Sequence, residues 1–235
     1  MRFCTAMLAA ALIATSAGAA NATVNLSAAA PGKVFKISYT GKVDGSTTTL
    51  VSALGTFTFT GTSVDKRTYN FSYTLLNTST NRSRLRSFGF DVTSALNPIS
   101  ITATGAFPYT GLNQNYPEGI GRIDACFKAT NNGLCTGGQG GLTRGLSGTG
   151  TFSLTFSAPQ NAIDLGNFVT RFQSISPEIN DEDSGVGIGR LVVEPPPPSA
   201  VPEPATWAFM ILGTGLTGAA LRRRASGAGA RPRTA

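Results

Sequence analysis

The chain predicts an all-β fold, a single β-sandwich of jelly-roll type spanning residues 23–193. Three observations carry this. Short stretches alternate apolar and polar residues with period two, as strands with one buried and one wet face do. Gly, Asn, Pro and Asp separate those stretches at turn-like intervals. No window in the body keeps a helical period. Gly and Thr are abundant and only 13% of residues are charged, a composition that suits β-structure with many turns. The 235-residue length allows one ordinary domain, and no internal repeat is visible.

In chain order, the first element is a leader, residues 1–22. Arg2 supplies a positive start, and Ala6 to Ala14 an apolar run too short to span a bilayer. Ala20 and Ala22 place small residues at the cleavage positions, so signal peptidase and the secretion machinery are expected partners. The cut is expected after Ala22, with Ala19 and Ala20 as alternatives.

Nine candidate strands follow. In "GTFTFTG" Phe57 and Phe59 share a face. In "TYNFSYTLL" Tyr69, Phe71, Tyr73 and Leu75 do, and in "TFSLTFS" Phe152, Leu154 and Phe156. The others are "KVFKISYTGKV", "LRSFGFDV", "ISITATGAF", "RIDACFKA", "NFVTRFQSI" and "VGIGRLVV".

Once Cys4 leaves with the leader, Cys126 and Cys135 remain. An even pair in an oxidising compartment predicts a disulfide closing a hairpin or loop around Asn131-Asn132-Gly133. The stretch Cys135 to Gly150 holds seven glycines. Without a Gly-Lys-Ser/Thr signature it is no phosphate loop and reads as a flexible surface loop. Asp181, Glu182 and Asp183 form the one acidic cluster. They are a weak candidate for calcium, but the spacing is not that of an EF-hand, and a solvated loop is the plainer reading.

Residues 194–204 are a proline-rich spacer, stiff and extended. Residues 205–221 carry no charge and predict a transmembrane helix of about 25 Å. Trp207 suits one membrane interface and Arg222, Arg223 and Arg224 the cytoplasmic one. A basic tail, 222–235, completes the chain.

The net charge of +7 resembles a nucleic-acid signal until it is located. Between Thr23 and Val201 there are 13 basic and 11 acidic residues, a net of +2; the excess lies at the two ends. That distribution belongs to membrane handling, and nucleic acid is excluded as an expected partner.

The chain has no histidine. This excludes Ser-His-Asp and Cys-His nucleophiles and most catalytic zinc sites. Paired carboxylates remain. Asp44, Asp65, Asp91, Glu118, Asp124, Asp164 and Glu178 form no recognisable pair, and Asp91 reads as a strand end or turn cap. The expectation is a protein that is not an enzyme and takes no cofactor.

Pro202-Glu203-Pro204, Trp207, the Gly-containing apolar run and the arginines 222–224 together resemble the PEP-CTERM sorting signal of Gram-negative bacteria. The resemblance implies recognition by exosortase, a membrane protease-transpeptidase. It also implies transient anchoring in the inner membrane, and export toward the cell surface and its exopolysaccharide. One departure is the tail "ASGAGARPRTA", which continues beyond the arginines where the family's signal usually stops. In the body, "SFGFDVT", the Gly-rich segment after the cysteines and "NFVTRFQSI" resemble the cistern family of PEP-CTERM proteins, which brings no catalytic residue with it.

The expected function is a structural or adhesive role in exopolysaccharide or biofilm. The alternative is a carbohydrate-binding jelly-roll module, calcium-assisted, using Tyr39, Tyr109 and Tyr116. The absence of tryptophan from the body counts against that alternative.

Overall fold

The computed structural model describes residues 23–94, 97–131, 135 and 138–193, together with residues 209, 211, 212 and 222. The leader, including Ala20 and Ala22, lies outside the described residues. The chain divides into two units at Val192/Val193. In the second, Phe209, Ile211, Leu212 and Arg222 are helical and exposed. Among the described residues no helix is long and apolar enough to cross a membrane. The expected spanning segment, 205–221, falls mostly outside them.

The first unit is all-β. Its strands are β1 (Val24–Ser27), β2 (Val34–Val43), β3 (Ser46–Thr62), β4 (Thr68–Asn77), β5 (Arg82–Thr93) and β6 (Pro98–Ala103). They continue as β7 (Tyr109–Tyr116), β8 (Gly121–Lys128), β9 (Leu142–Thr143), β10 (Ser147–Phe156), β11 (Ala162–Ser176) and β12 (Gly185–Leu191). Twelve strands stand where nine were expected. The three additional ones carry weak signals: β1 has four residues, β9 has two, and β7 reads YTGLNQNY, nearly without apolar residues.

Ten strands join in one path, β6-β10-β4-β3-β2-β12-β11-β5-β8-β7, with β1 added to β11 and β9 to β5. Every pairing is antiparallel. The two end strands are consecutive in sequence and meet in space: the Thr110 hydroxyl on β7 donates to the Ile101 carbonyl on β6 at 3.3 Å. The sheet is therefore nearly closed, like a barrel.

Local chemistry sets several joints. The β2–β3 hairpin turns on Asp44-Gly45, both with positive φ, a two-residue turn whose twist matches the strands. The β7–β8 hairpin turns through Glu118 and Gly119, again with positive φ.

Alternation holds wherever the sequence displays it. Phe57, Phe59, Tyr69, Phe71, Tyr73, Leu75, Phe152, Leu154 and Phe156 all lie in the interior. The core is an aromatic stack: Phe71 on Phe152 at 4.6 Å and 12°, and Phe88 on Phe127 at 4.7 Å and 16°. Each buried Phe contributes roughly 1.5–3 kcal/mol of transfer free energy, and well-oriented ring pairs add about 0.5–1.5 kcal/mol. The alternate positions of β3, β4 and β10 are mostly Thr and Ser and face outward.

A smaller cluster lies on the opposite face of the sheet, made of Tyr116, Ile123, Cys126, Cys135, Val169 and Val186. Gly89 faces this side, paired to Cys126 on β8 and to Val169 on β11.

Two expectations need correction here. The Gly-rich stretch is not simply a flexible loop. Leu142-Thr143 pairs with Arg84-Leu85, and the segment from Ser147 pairs in register with β4. Tyr39 and Tyr116 are not surface platforms. They are 1% and 4% exposed, because Tyr39 continues the inward series of β2 and Tyr116 fills the second cluster.

Candidate functional site

Cys126 and Cys135 form the disulfide. Among the described residues the next strand after β8 is β9, beyond Cys135, so the bond ties β8 to the loop that follows it. It holds that loop against the outer face of β5, where the Ser87 hydroxyl donates to the Cys135 carbonyl at 2.7 Å and shares a 2.7 Å hydrogen bond with the Tyr116 hydroxyl. Burial pushes both Tyr39 and Tyr116 well above the usual phenol range, so both remain neutral. Replacing Cys126 and Cys135 together by Ser is expected to lower unfolding free energy by roughly 2.5–3 kcal/mol in the chain-entropy account. Urea unfolding of the paired variant against the oxidised parent checks this; equal midpoints would remove the bond's structural role.

The carboxylates are dispersed, and the best placed of them are structural. Asp91 lies within β5, not at its end. Its Oδ1 accepts from the Asp124 amide at 3.3 Å and its Oδ2 from the Asn167 side chain at 3.0 Å. Asp124 Oδ2 in turn accepts from the Val92 amide at 2.9 Å. Asn167 has positive φ and sits at the register shift between β11 and β5. The two carboxylates thus pin a β-bulge.

Desolvation raises the Asp91 carboxyl above its ordinary range, the Asn167 bond lowers it, and the Asp124 charge raises it further. A raised folded-state value means the folded protein binds the proton more tightly, so stability falls as pH rises from the unfolded value to the folded one. Relative to Asp91→Asn, the parent should therefore gain stability as pH drops from 7 toward 4. Parallel urea titrations at the two pH values test the sign; a parent that loses ground would refute it.

The acidic cluster closes a small turn between β11 and β12. Ile179 and Glu182 exchange backbone hydrogen bonds at 3.0 Å, and Asp181, Glu182 and Asp183 are all exposed. Among the described residues no three acidic, Cys or His side chains converge as a metal site.

The sequence did not single out the arginines of β5. Arg82, Arg84 and Arg86 alternate along its outer face, with Ser83 and Leu85 buried between them. Arg144, just after β9, joins them, its amide donating to the Ser83 carbonyl at 3.1 Å and its guanidinium to the Thr80 carbonyl at 2.7 Å. Arg82, Ser83, Arg84, Thr143, Arg144 and Ser174 line an open groove of about 330 Å³. Arg86, two residues on, is half-buried. One of its nitrogens donates to the Ser174 hydroxyl at 3.3 Å, while Nε and Nη1 are buried with no acceptor. Desolvation, and then Arg84, lower its pKa, and Asp183 offsets this in part. The signal in the sequence was "NRSRLRS", three arginines at period two, which is legible once that strand is known to face outward.

The remaining sequence-predicted residues belong to the C-terminal unit. Pro202, Glu203, Pro204, Trp207, Arg223 and Arg224 lie outside the described residues; Arg222 is helical and exposed. A β-domain followed by a proline-rich spacer and a short apolar segment ending in arginines defines a class, exported proteins sorted by their C-terminus. Residues 200–224 match the family model of the PEP-CTERM protein-sorting motif. The chain carries that motif at its C-terminal end, and the motif indicates an exosortase-targeted surface or extracellular protein. No curated protein and no solved structure matches the chain. The likeness of the body to the cistern family therefore has no support beyond the residues that suggested it.

Proposed function

We propose that the protein is a non-enzymatic structural or adhesive component of the extracellular matrix of a Gram-negative bacterium, delivered by exosortase and held in exopolysaccharide. The observation that carries this is the sorting motif at residues 200–224, behind a body with no histidine. The nearly closed all-β body, braced by a disulfide and filled with aromatic rings, suits a space outside the cell. The route begins with signal peptidase after Ala22, passes through the inner membrane and ends with removal of the C-terminal helix.

Deleting the gene and measuring cell aggregation and matrix retention tests the role. Unchanged matrix and aggregation, with the protein found free in the periplasm, would refute it. Intact mass of surface-extracted protein tests the route: a chain from Thr23 to the Pro202-Glu203-Pro204 region is expected, and one retaining Trp207 to Ala235 would make the segment a plain anchor.

A second reading, glycan binding, is favoured by one observation. Thr56, Thr58, Ser72, Thr74, Thr149 and Thr151 line a shallow concavity of about 390 Å³ on the outer face of β3, β4 and β10. It relies on hydroxyls rather than ring stacking, since of the three tyrosines considered only Tyr109 is exposed.

A further inference from the structure

We propose that the outer face of β5 is a binding site for an acidic polysaccharide, with Arg82, Arg84 and Arg144 contacting its anionic groups. The proposal rests on the matrix reading above and gives it a ligand class.

Three features separate this groove from an ordinary polar surface. The first is unopposed charge. Among the described residues the Arg82 and Arg84 side chains form no hydrogen bond or ion pair, and their register partners across the sheet are uncharged: Ser176 for Arg82, and Gln173 and Thr143 for Arg84. Like charges two residues apart on one strand face repel each other. An anion removes that repulsion. The second is Arg86, next along the strand, whose buried Nε and Nη1 have no acceptor among the described residues and add positive field beside the groove, while Ser174 of the groove holds its remaining end. Burial weakens screening, so this charge acts at fuller strength than an exposed one.

The third is shape. Arg82 to Arg86 spans four residues of strand, about 13 Å. Arg144 widens the row on one side. A row of that length suits several anionic groups on a linear chain better than one phosphate. The hydroxyls of Thr143 and Ser174 in the same groove can bond to sugar hydroxyls. No aromatic side chain lines it, so it lacks the stacking platform that single-stranded nucleic acid uses.

Direction follows from the neighbouring acids. Beyond Arg82 and Ser174 the surface continues into a hollow shared with Glu178 and Asp183. A polyanion is repelled there, so it should run from Arg82 toward Arg144, away from β12. The sorting motif supplies the setting, since it sends the chain outside the cell.

The test uses the full chain and three probes: polyuronate oligomers, neutral dextran of equal length, and single-stranded DNA. Polyuronate should bind in a salt-sensitive way and dextran should not. The double variant Arg82→Gln/Arg84→Gln should weaken polyuronate binding roughly tenfold or more, as expected for loss of two charge-assisted contacts. Both side chains are exposed and unbonded, so folding should be unaffected, which urea unfolding verifies. The control Lys33→Gln/Arg190→Gln removes the same charge elsewhere and should leave binding within about twofold.

Equal loss in both variants would reduce the effect to net charge and overturn the site. Absence of polyuronate binding by the parent, or DNA bound more tightly through the same arginines, would also overturn it. Any of these results alongside intact matrix dependence on the gene would remove the ligand assignment alone. Loss of the matrix phenotype's dependence with polyuronate binding intact would remove the structural role instead.

Discussion

Phe152→Ala should lower the unfolding free energy by about 3–5 kcal/mol, the range for emptying a large aromatic site in a packed core. Phe152 sits on β10 at the centre of the ring network. It stacks on Phe71 at 4.6 Å and packs on Phe127 at 4.7 Å, Phe90 at 5.7 Å and Phe88 at 6.2 Å. It also reaches Tyr73 at 6.3 Å and Phe57 at 6.5 Å. These partners come from β3, β4, β5 and β8, so one side chain joins distant parts of the sheet path. Removing it opens a void whose walls are rigid rings on separate strands, and these collapse poorly. Domains have only about 5–15 kcal/mol in total, so the melting temperature should drop on the order of 10 °C. Phe152→Leu should recover more than half of that. A Phe152→Ala variant with an unchanged urea midpoint would show that the ring network does not hold the fold.

Gly150→Ala should cost about 3–4 kcal/mol, a large effect for one methyl group. Gly150 pairs with Tyr73 across β10 and β4. A Cβ there would meet the Tyr73 hydroxyl and the Thr104 carbonyl oxygen, and lie 2.7 Å from Tyr73 Cζ. The Tyr73 hydroxyl is itself committed. It donates to the Thr104 carbonyl at 3.0 Å and accepts from the Phe107 amide at 3.0 Å. The methyl group therefore adds overpacking of about 1–3 kcal/mol and breaks buried hydrogen bonds costing about 1–3 kcal/mol. Gly119 offers the contrast. Its φ is +73° with open space around it, so Gly119→Ala should cost only about 1–2 kcal/mol, from left-handed backbone alone. Chemical denaturation of the two variants side by side decides the matter. If Gly150→Ala proves no worse than Gly119→Ala, the close approach is not limiting.

Gly150 also shows where sequence reading stops. In "SGTGTFSLTF" the inward positions run Gly148, Gly150, Phe152, Leu154 and Phe156. The apolar alternation is visible only from Phe152. A glycine at an inward position looks like a turn or a loop, and the Gly-rich run before it was read as one. Its reason is the Tyr73 ring, which arrives from another strand and takes the space a side chain would fill.

Tyr39 and Tyr116 failed for a related cause. A tyrosine carries both an apolar body and a polar tip, so its exposure depends on what packs above it. For Tyr116 that is the second cluster, assembled from β8, β11, β12 and the disulfide loop. Of those neighbours Val169 and Val186 are far away in sequence. The β5 arginines are hard to see in the sequence because "LRSFGFDV" advertises the inner face of its strand, while the charge lies on the outer one.

The all-β class, the inward faces of β3, β4 and β10, the Cys126–Cys135 bond and the C-terminal sorting motif are all legible in the sequence. Each depends on short-range pattern, residue type or a motif read in order. Only the tertiary structure decided the strand path and its near-closure from β6 to β7. Only it decided the use of Asp91 and Asp124 as a bulge clamp, the burial of Tyr39 and Tyr116, and the gathering of Arg82, Arg84, Arg86 and Arg144 on one face. These depend on which strands become neighbours, and antiparallel pairing over long separations is set by the packing of the whole core.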